Sequence, residues 1–325
     1  MELARREFLH LAAAAAASSA MPRLAWAQPY PVRPVRLIVT TPAGSSPDIV
    51  ARVIAQRLSE RFGRPFIVDN RPGAGSTIGT EVAVRAAPDG YTLLMALSAN
   101  AIGASLYDNL KFNFIRDMAP VASIARASLV MVTNPSVPAR TVPEFISYAK
   151  ASPGTINMAS GGNGSPTHVS GELFKMMAGI NLLHVPYRGS TPALTDLLSG
   201  QVQILFTTLP ETVGYITDGK LRALAVTAAR RQAILPNVPT VGEFLPGYEA
   251  SGWYGVVAPS VTPADIIDKL NDEINTALAD PKIKGQLADL GGTVFAGSPA
   301  EFGKLIAAET NKWAKVVKFA GIRAQ

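Results

Sequence analysis

The chain is predicted to fold as an α/β protein built on parallel sheets with crossover helices, and three observations lead there. Short β-rich runs alternate with longer helical patterns, five segments open with a hydroxyl residue followed by proline, and three of those openings follow a strand through a glycine-bearing loop. The alternation begins with a strand over Val35 to Thr40, a helix over Asp48 to Arg61, a strand over Pro65 to Asp69 and a helix over Thr77 to Ala87. Such strand and helix alternation is the pattern of crossover units on a parallel sheet. Further strands are expected at Thr92 to Ala96, Ser128 to Thr133, Ile156 to Ala159, Leu183 to Val185, Ile204 to Thr207, Leu224 to Val226 and Gly252 to Ala258. A length of 325 residues, 48% of them hydrophobic, favours two domains over one.

The helix starts are Ser46-Pro47, Ser165-Pro166, Thr191-Pro192, Thr262-Pro263 and Ser298-Pro299. A hydroxyl satisfies one orphan N–H of the first turn, and proline there has no N–H to lose and a pre-set φ. After Ser165 the apolar residues Val169, Leu173 and Met176 or Met177 share one face, and Gly179 is the expected stop. The loops before the first three starts, Thr41 to Ser46, Ser160 to Ser165 and Pro186 to Thr191, occupy carboxyl ends of strands. In open α/β sheets that edge is where ligands bind, and free N–H groups with the helix dipole favour anions. Glycines that merely permit tight turns would explain any one loop equally well; three together favour the ligand reading.

The ends and the composition narrow the function. Arg5-Arg6-Glu7-Phe8-Leu9, an apolar run from Leu11 to Ala17 and Ala25-Trp26-Ala27 read as an export signal cleaved after Ala27, with a twin-arginine-like start in which Ala4 replaces the usual Ser or Thr. The mature protein is therefore expected in the periplasm. With no cysteine there is no disulfide framework, thiolate metal site, cysteine nucleophile or lipid anchor. The net charge is +6, but the basic residues are scattered, which argues against nucleic acid as a partner. No Gly-x-Ser-x-Gly elbow or Walker loop occurs, and only His168 and His184 follow the signal, without metal-ligand spacing. Gly73-Ala74-Gly75 with Gly79 misses the dinucleotide spacing by one residue and reads as a turn. No metal and no cofactor is expected.

A set of ordered motifs runs through nearly the whole mature chain: Pro42 to Arg52, Asn70-Arg71-Pro72-Gly73-Ala74-Gly75, Ala87 to Leu94, Gly171 to Lys175, His184 to Gly189 and Trp253-Tyr254-Gly255. By these motifs the chain resembles the Bug family, the substrate-binding proteins of tripartite tricarboxylate transporters. The resemblance implies a class II periplasmic-binding-protein fold, with two lobes joined by two crossing strands, closing on a small carboxylate held by loop amides, hydroxyls and water. It also implies membrane transporter subunits as partners; a monomer is expected.

Carried over residue by residue, the resemblance places Pro42, Ala43, Ser45 and Ser46 at the ligand from the first loop, and Ser98 and Asn100 from the loop after Met95. The second lobe supplies Gly162, Asn163, Ser165, Thr167 and His168, then Tyr187, Arg188 and Gly189, with Thr207 and Thr208 at the cleft wall. The first loop departs from the Gly-Gly or Gly-Gly-x-Thr that family members often carry near Ser45-Ser46-Pro47. Asp48 joins the set, either as a ligand contact or as a complement to the helix dipole. Arg188 fits a bidentate carboxylate clamp or a solvent-facing partner of Tyr187. Trp253 and Tyr254 are expected to pack rather than bind. Thr167 is expected to present a cleft hydroxyl whose loss leaves ligand-free stability nearly unchanged.

The lobes are expected to divide into 28–127 with 251–325, and 128–250, with the export segment 1–27 ahead of them. An exported enzyme acting on a small organic acid and a soluble sensory module are the rival functions.

Overall fold

A computed structural model describes residues 30–107 and 110–323; the export segment through Ala27 lies outside the described residues. Along the chain, the first stretch carries β1 (Val35–Val39), α1 (Ser46–Phe62), β2 (Phe66–Asn70), α2 (Thr77–Val84), β3 (Thr92–Leu97), α3 (Ser98–Leu106), α4 (Phe114–Asp117) and β4 (Met118–Ala127). The middle stretch carries β5 (Leu129–Thr133), α5 (Val142–Ala151), β6 (Asn157–Ser160), α6 (Pro166–Ala178), β7 (Leu183–Pro186), α7 (Ser190–Leu198), β8 (Ile204–Thr208), α8 (Leu209–Thr217) and β9 (Arg222–Val226). The last carries β10 (Gly252–Pro259), α9 (Ala264–Ala279), α10 (Pro281–Asp289), β11 (Gly292–Val294) and α11 (Pro299–Ala320). None of the helices among the described residues is long and apolar enough to cross a membrane.

The strands form two sheets, β11-β4-β10-β3-β1-β2 and β7-β6-β8-β5-β9. In the first, β1 runs parallel to β2 and β3 while β10 is antiparallel to β3 and β4; in the second, β6 runs parallel to β7 and β8 while β5 is antiparallel to β8 and β9. The parallel strands of each sheet therefore deliver their carboxyl ends to one edge. Only Ser128 separates β4 in the first sheet from β5 in the second. The return passage runs beside it, since Leu129 N–H donates to Thr227 Oγ1 at 2.9 Å, Ala250 N–H donates to Thr227 O at 3.0 Å, and Gly252 pairs in register with Ala127.

Period-two alternation explains how the second sheet is buried on both faces. Leu129 and Met131 join a cluster containing Phe145, Phe174 and Phe206, while Val130 and Val132 join another containing Ala193, Leu197 and Leu205. The larger cluster continues through Ile38, Leu94, Trp253 and Phe302, so one apolar body underlies both sheets. Trp253, as expected, packs: its ring meets Phe302 edge-on at 5.6 Å. Gly255 makes that approach possible, because a Cβ there would collide with the Phe302 ring and lie 2.7 Å from Ala122 O. From Arg33 onward the described chain is one compact unit; the described residues before it, 30–32, carry no strand or helix.

Two of the five expected helix caps form as drawn. Ser165 accepts the N–H of His168, and Ser298 forms a reciprocal box with Glu301. At α1 the cap position is Ser45 rather than Ser46, and its hydroxyl donates to Pro42 O at 2.8 Å instead of serving the helix. Helix α7 begins a residue before Thr191 from Gly189, whose φ of 112° only glycine adopts readily. Thr262 donates to Pro259 O at 2.7 Å and leaves the cap position to Pro263. Helix α6 ends where expected, at Gly179 with φ of 62°.

Candidate functional site

The three glycine-bearing loops lie where the topology sends them, at the carboxyl ends of β1, β6 and β7, and each is held differently. In the first, Asp48 is 1% exposed and its carboxylate accepts from Gly44 N–H at 2.8 Å, Arg52 Nε at 2.9 Å and Asn70 Nδ2 at 2.9 Å. Burial alone would raise this carboxyl; the three donors outweigh it and hold Asp48 below the usual range. Its oxygens are thus committed to shaping the loop. Asn70 Nδ2 also donates to Thr41 O at 3.0 Å, which gives the Asn70-Arg71 motif a physical task. Pro42, Ala43 and Ser46 remain exposed, and Ser45 is half-buried.

The second loop, 160–165, is held from beneath by side chains of its own lobe. Gly161 N–H donates to Thr167 Oγ1 at 2.8 Å, Gly162 N–H to Ser160 Oγ at 3.1 Å and Gly164 N–H to His168 Nδ1 at 3.1 Å. Asn163 is half-buried and its amide makes no hydrogen bond among the described residues. Thr167, expected as an open hydroxyl, is only 7% exposed, and its oxygen also meets Ser165 Oγ at 2.9 Å. Thr167→Val would leave Gly161 N–H without its acceptor, so ligand-free stability should fall by about 1–3 kcal/mol. Urea denaturation measures this; an unchanged midpoint would show that Gly161 does not depend on the Thr167 hydroxyl.

Beneath the loop the two histidines stack on each other, ring centroids 3.5 Å apart and planes 6° from parallel. Because Gly164 N–H points at Nδ1 of His168, the ring hydrogen sits on Nε2, facing Glu172 Oε1 at 3.6 Å. Lys175 Nζ donates to the same Glu172 oxygen at 2.8 Å. Burial alone would raise the Glu172 carboxyl, but its bonds to His168 and Lys175 prevail and hold it below the usual range. His184 is pushed down to about 4, by burial first and then by His168. Its Nε2 shares a hydrogen with Ser160 Oγ at 2.6 Å. A serine beside a histidine is half of a nucleophile and base pair, but Ser160 is 0% exposed, so no substrate atom can reach it here. No group of three metal-ligating side chains occurs among the described residues.

In the third loop Tyr187 turns its hydroxyl into its own lobe, donating to Asp196 Oδ2 at 2.6 Å; burial and then Asp196 push it up to about 12. Its carbonyl lies against Gly162, where a Cβ would be 3.2 Å away. Arg188 is exposed and makes no ion pair or hydrogen bond among the described residues. At the end of β8, buried Thr207 donates to Glu211 Oε2 at 2.7 Å, and Thr208 caps α8 by position and accepts from Thr212.

A cleft of about 300 Å³ lies between the two walls that these elements form. The first lobe contributes Gly75, Ser76, Ala99, Gly103, Leu106 and Tyr107; the second contributes Asn163, Gly164, Ser165 and Pro166 at the start of α6. The walls touch, since a Cβ on Gly164 would collide with Leu106 Cδ2 across the gap. Asn163 and Ser165 are thus brought to the cleft from the expected set, and Gly162 lies beside them. Ser98 and Asn100 are buried instead: Asn100 accepts from Leu97 N–H at 2.6 Å and donates to Thr80 Oγ1 at 2.8 Å, fixing the start of α3. The face of α3 that reaches the cleft, Ala99, Gly103 and Leu106, lies outside the expected set, although its i, i+4, i+7 spacing is a helical stripe.

A larger interlobe cavity of about 580 Å³ lies between Leu209, Pro210 and Ile234 on one side and Asp289, Gly291 and Thr293 on the other. Among the described residues that line it, Asp289 alone is charged, and its carboxylate disfavours an anion there despite the greater volume.

Two α/β lobes meeting at a cleft of helix-start amides, hydroxyls and glycines define a solute-binding protein of the periplasmic type. A family described as "Tripartite tricarboxylate transporter family receptor" matches residues 50–322, and the chain belongs to that family. Protein BugT of Bordetella pertussis is 38% identical over 300 residues, 91% of this chain and 92% of that one. Among solved structures, R. palustris Rpa4515 with adipate is 35% identical with a TM-score of 0.77, covering 90% of this chain and 99% of that chain. MatC (Rpa3494) from Rhodopseudomonas palustris with bound malate is 31% identical with a TM-score of 0.74, covering 89% of this chain and all of the other at 100%.

Proposed function

We propose that the protein captures a small carboxylate in the periplasm and presents it, as a monomer, to the membrane subunits of a tripartite tricarboxylate transporter. The observation that carries this reading is the cleft at the start of α6, where Asn163 and Ser165 face the α3 wall across a space large enough for a small acid. The Asn163 amide and the N–H of Thr167, which make no hydrogen bond among the described residues, suit a carboxylate, which a helix N-terminus attracts. The adipate and malate held by the two neighbours are ligands of that chemistry. Gly162, Asn163 and Ser165 are the contacts proposed from the second lobe, and the exposed Pro42, Ala43 and Ser46 at the end of β1 are those proposed from the first.

The lobes are proposed to be 28–127 with 251–325, and 128–250, turning about the paired passages at Ser128 and Ser251. Export through a twin-arginine-like signal, with cleavage after Ala27, completes the proposal. The protein acts without chemical turnover. Mass spectrometry of small molecules released from denatured, periplasm-purified protein tests it: the expected result is an organic acid near one equivalent, recovered unaltered after prolonged incubation. Steady conversion of that acid to a product would overturn the reading in favour of an exported enzyme.

A further inference from the structure

We infer that Ser76 is a specificity-determining residue of the cleft, donating its hydroxyl to a ligand oxygen other than those of the carboxylate at the start of α6. This rests on the carboxylate reading proposed above and adds a second point of recognition from the opposite lobe.

Between β2 and α2 the chain passes through four consecutive residues of positive φ: Gly73 at 131°, Ala74 at 44°, Gly75 at 56° and Ser76 at 79°. Glycine takes such angles readily, whereas a Cβ crowds the backbone there, so Ser76 is held in a conformation that glycine would adopt at lower cost. Helix capping does not offset that strain. Ser76 occupies the cap position of α2, where a serine ordinarily takes extended backbone and accepts an N–H of the first turn; here the backbone is left-handed and the side chain bonds no helix amide.

The neighbours of Ser76 fix which way its hydroxyl can act. Thr40 Oγ1 donates to Ser76 Oγ at 2.9 Å, and Thr80 Oγ1 donates to Ser76 O at 2.7 Å while accepting from Asn100 Nδ2 at 2.8 Å. Both adjacent hydroxyls thus direct their hydrogens at Ser76, whose own hydroxyl hydrogen has no acceptor among the described residues. A residue only 7% exposed ordinarily finds a partner for such a donor. Ser76 lines the cleft on the wall opposite Asn163 and Ser165, so the acceptor it suits is an oxygen of the bound molecule, in a carbonyl, a hydroxyl or a second carboxylate.

Two pairs of acids isolate the contact. Adipate with hexanoate, and succinate with butanoate, share a chain length within each pair and differ in whether the far end carries oxygen. Ser76→Ala removes the hydroxyl and keeps the strained backbone, while Ser76→Gly removes both. By titration calorimetry of the mature protein, both variants are expected to bind the diacid about tenfold to a hundredfold more weakly than wild type does, the worth of one hydrogen bond to a charged group, and to bind the matching monoacid within about twofold of wild type. Urea denaturation without ligand is expected to place Ser76→Gly above Ser76→Ala, because glycine relieves the backbone strain. Equal weakening of diacid and monoacid would make Ser76 a structural support of its loop and overturn the inference, as would an unchanged diacid affinity, and both results would leave the carboxylate reading in place. Failure of all four acids to bind wild-type protein at millimolar concentration would overturn the two readings together.

Discussion

Lowering the pH from 7 to 4 is expected to remove about 3 kcal/mol of folding stability through His184 alone. In the unfolded chain this imidazole takes its proton near its ordinary 6.5, whereas in the folded protein it resists until about 4, because it is half-buried and stacked on His168. Between those values the unfolded state binds more protons, so the contribution is fully present above 6.5, declines as pH falls through the window and falls no further below about 4. Glu172 acts in the same direction, since its depressed carboxyl contributes stability above its ordinary range that acid removes. Lys175 and His168 are the other charged or titratable groups facing the pair. Urea denaturation at pH 7 and at pH 4.5, for the wild type and His184→Gln, separates the terms. The variant should show a shallower loss over that interval; equal slopes would mean that His184 titrates as freely in the folded protein as in the unfolded one.

The second large effect is expected at Gly164, where Gly164→Val should weaken binding of whichever acid copurifies by about a hundredfold. Gly164 has φ of 70°, a conformation in which a β-branched residue is a genuine outlier. Any Cβ there also meets Leu106 Cδ2 across the cleft, so the Leu106 side chain must turn aside wherever the α3 wall and the 160–165 loop approach as they do here. Because a ligand favours the closed arrangement only by touching both walls, a strained loop facing a displaced Leu106 lowers its differential affinity. The backbone penalty alone, of about 1–2 kcal/mol, should appear as lowered ligand-free stability, which denaturation reports independently of binding. Retention of affinity in a folded Gly164→Val protein would mean that Leu106 and Gly164 do not meet in the ligand-bound state.

Much of this arrangement was legible in the sequence because local rules and tertiary structure agree. The runs at Val35, Thr92, Ile204 and Gly252 became strands because their apolar residues are buried on both faces, and Ser165-Pro166 and Ser298-Pro299 started helices because a hydroxyl cap and a first-turn proline satisfy the same orphan groups. Strand β4 is not legible in the sequence because Met118–Ala127 is rich in alanine and contains Pro120, which argues against a strand with partners on both sides; β10 accommodates it with register irregularities between Val256 and Val257. The sequence of helix α3 resembles a loop because serine, asparagine and glycine dilute its pattern, and its stability comes from Asn100 bonding to Leu97 and Thr80 rather than from propensity. At the site, the loops could be located but the division of labour within them could not. Asp48, Thr167 and Tyr187 have the right chemistry for ligand contact, yet their polar atoms are taken by Arg52, Gly161 and Asp196, partners fixed only by the folded chain.

The central claim is that a carboxylate sits between α3 and the start of α6. Hydrogen exchange followed by mass spectrometry, with and without the copurifying acid at saturation, addresses it directly. The expected result is slowed exchange in two segments from opposite lobes, 98–107 and 161–168. Protection confined to 209–213 and 288–293, the borders of the larger cavity, would contradict the claim and move the site there.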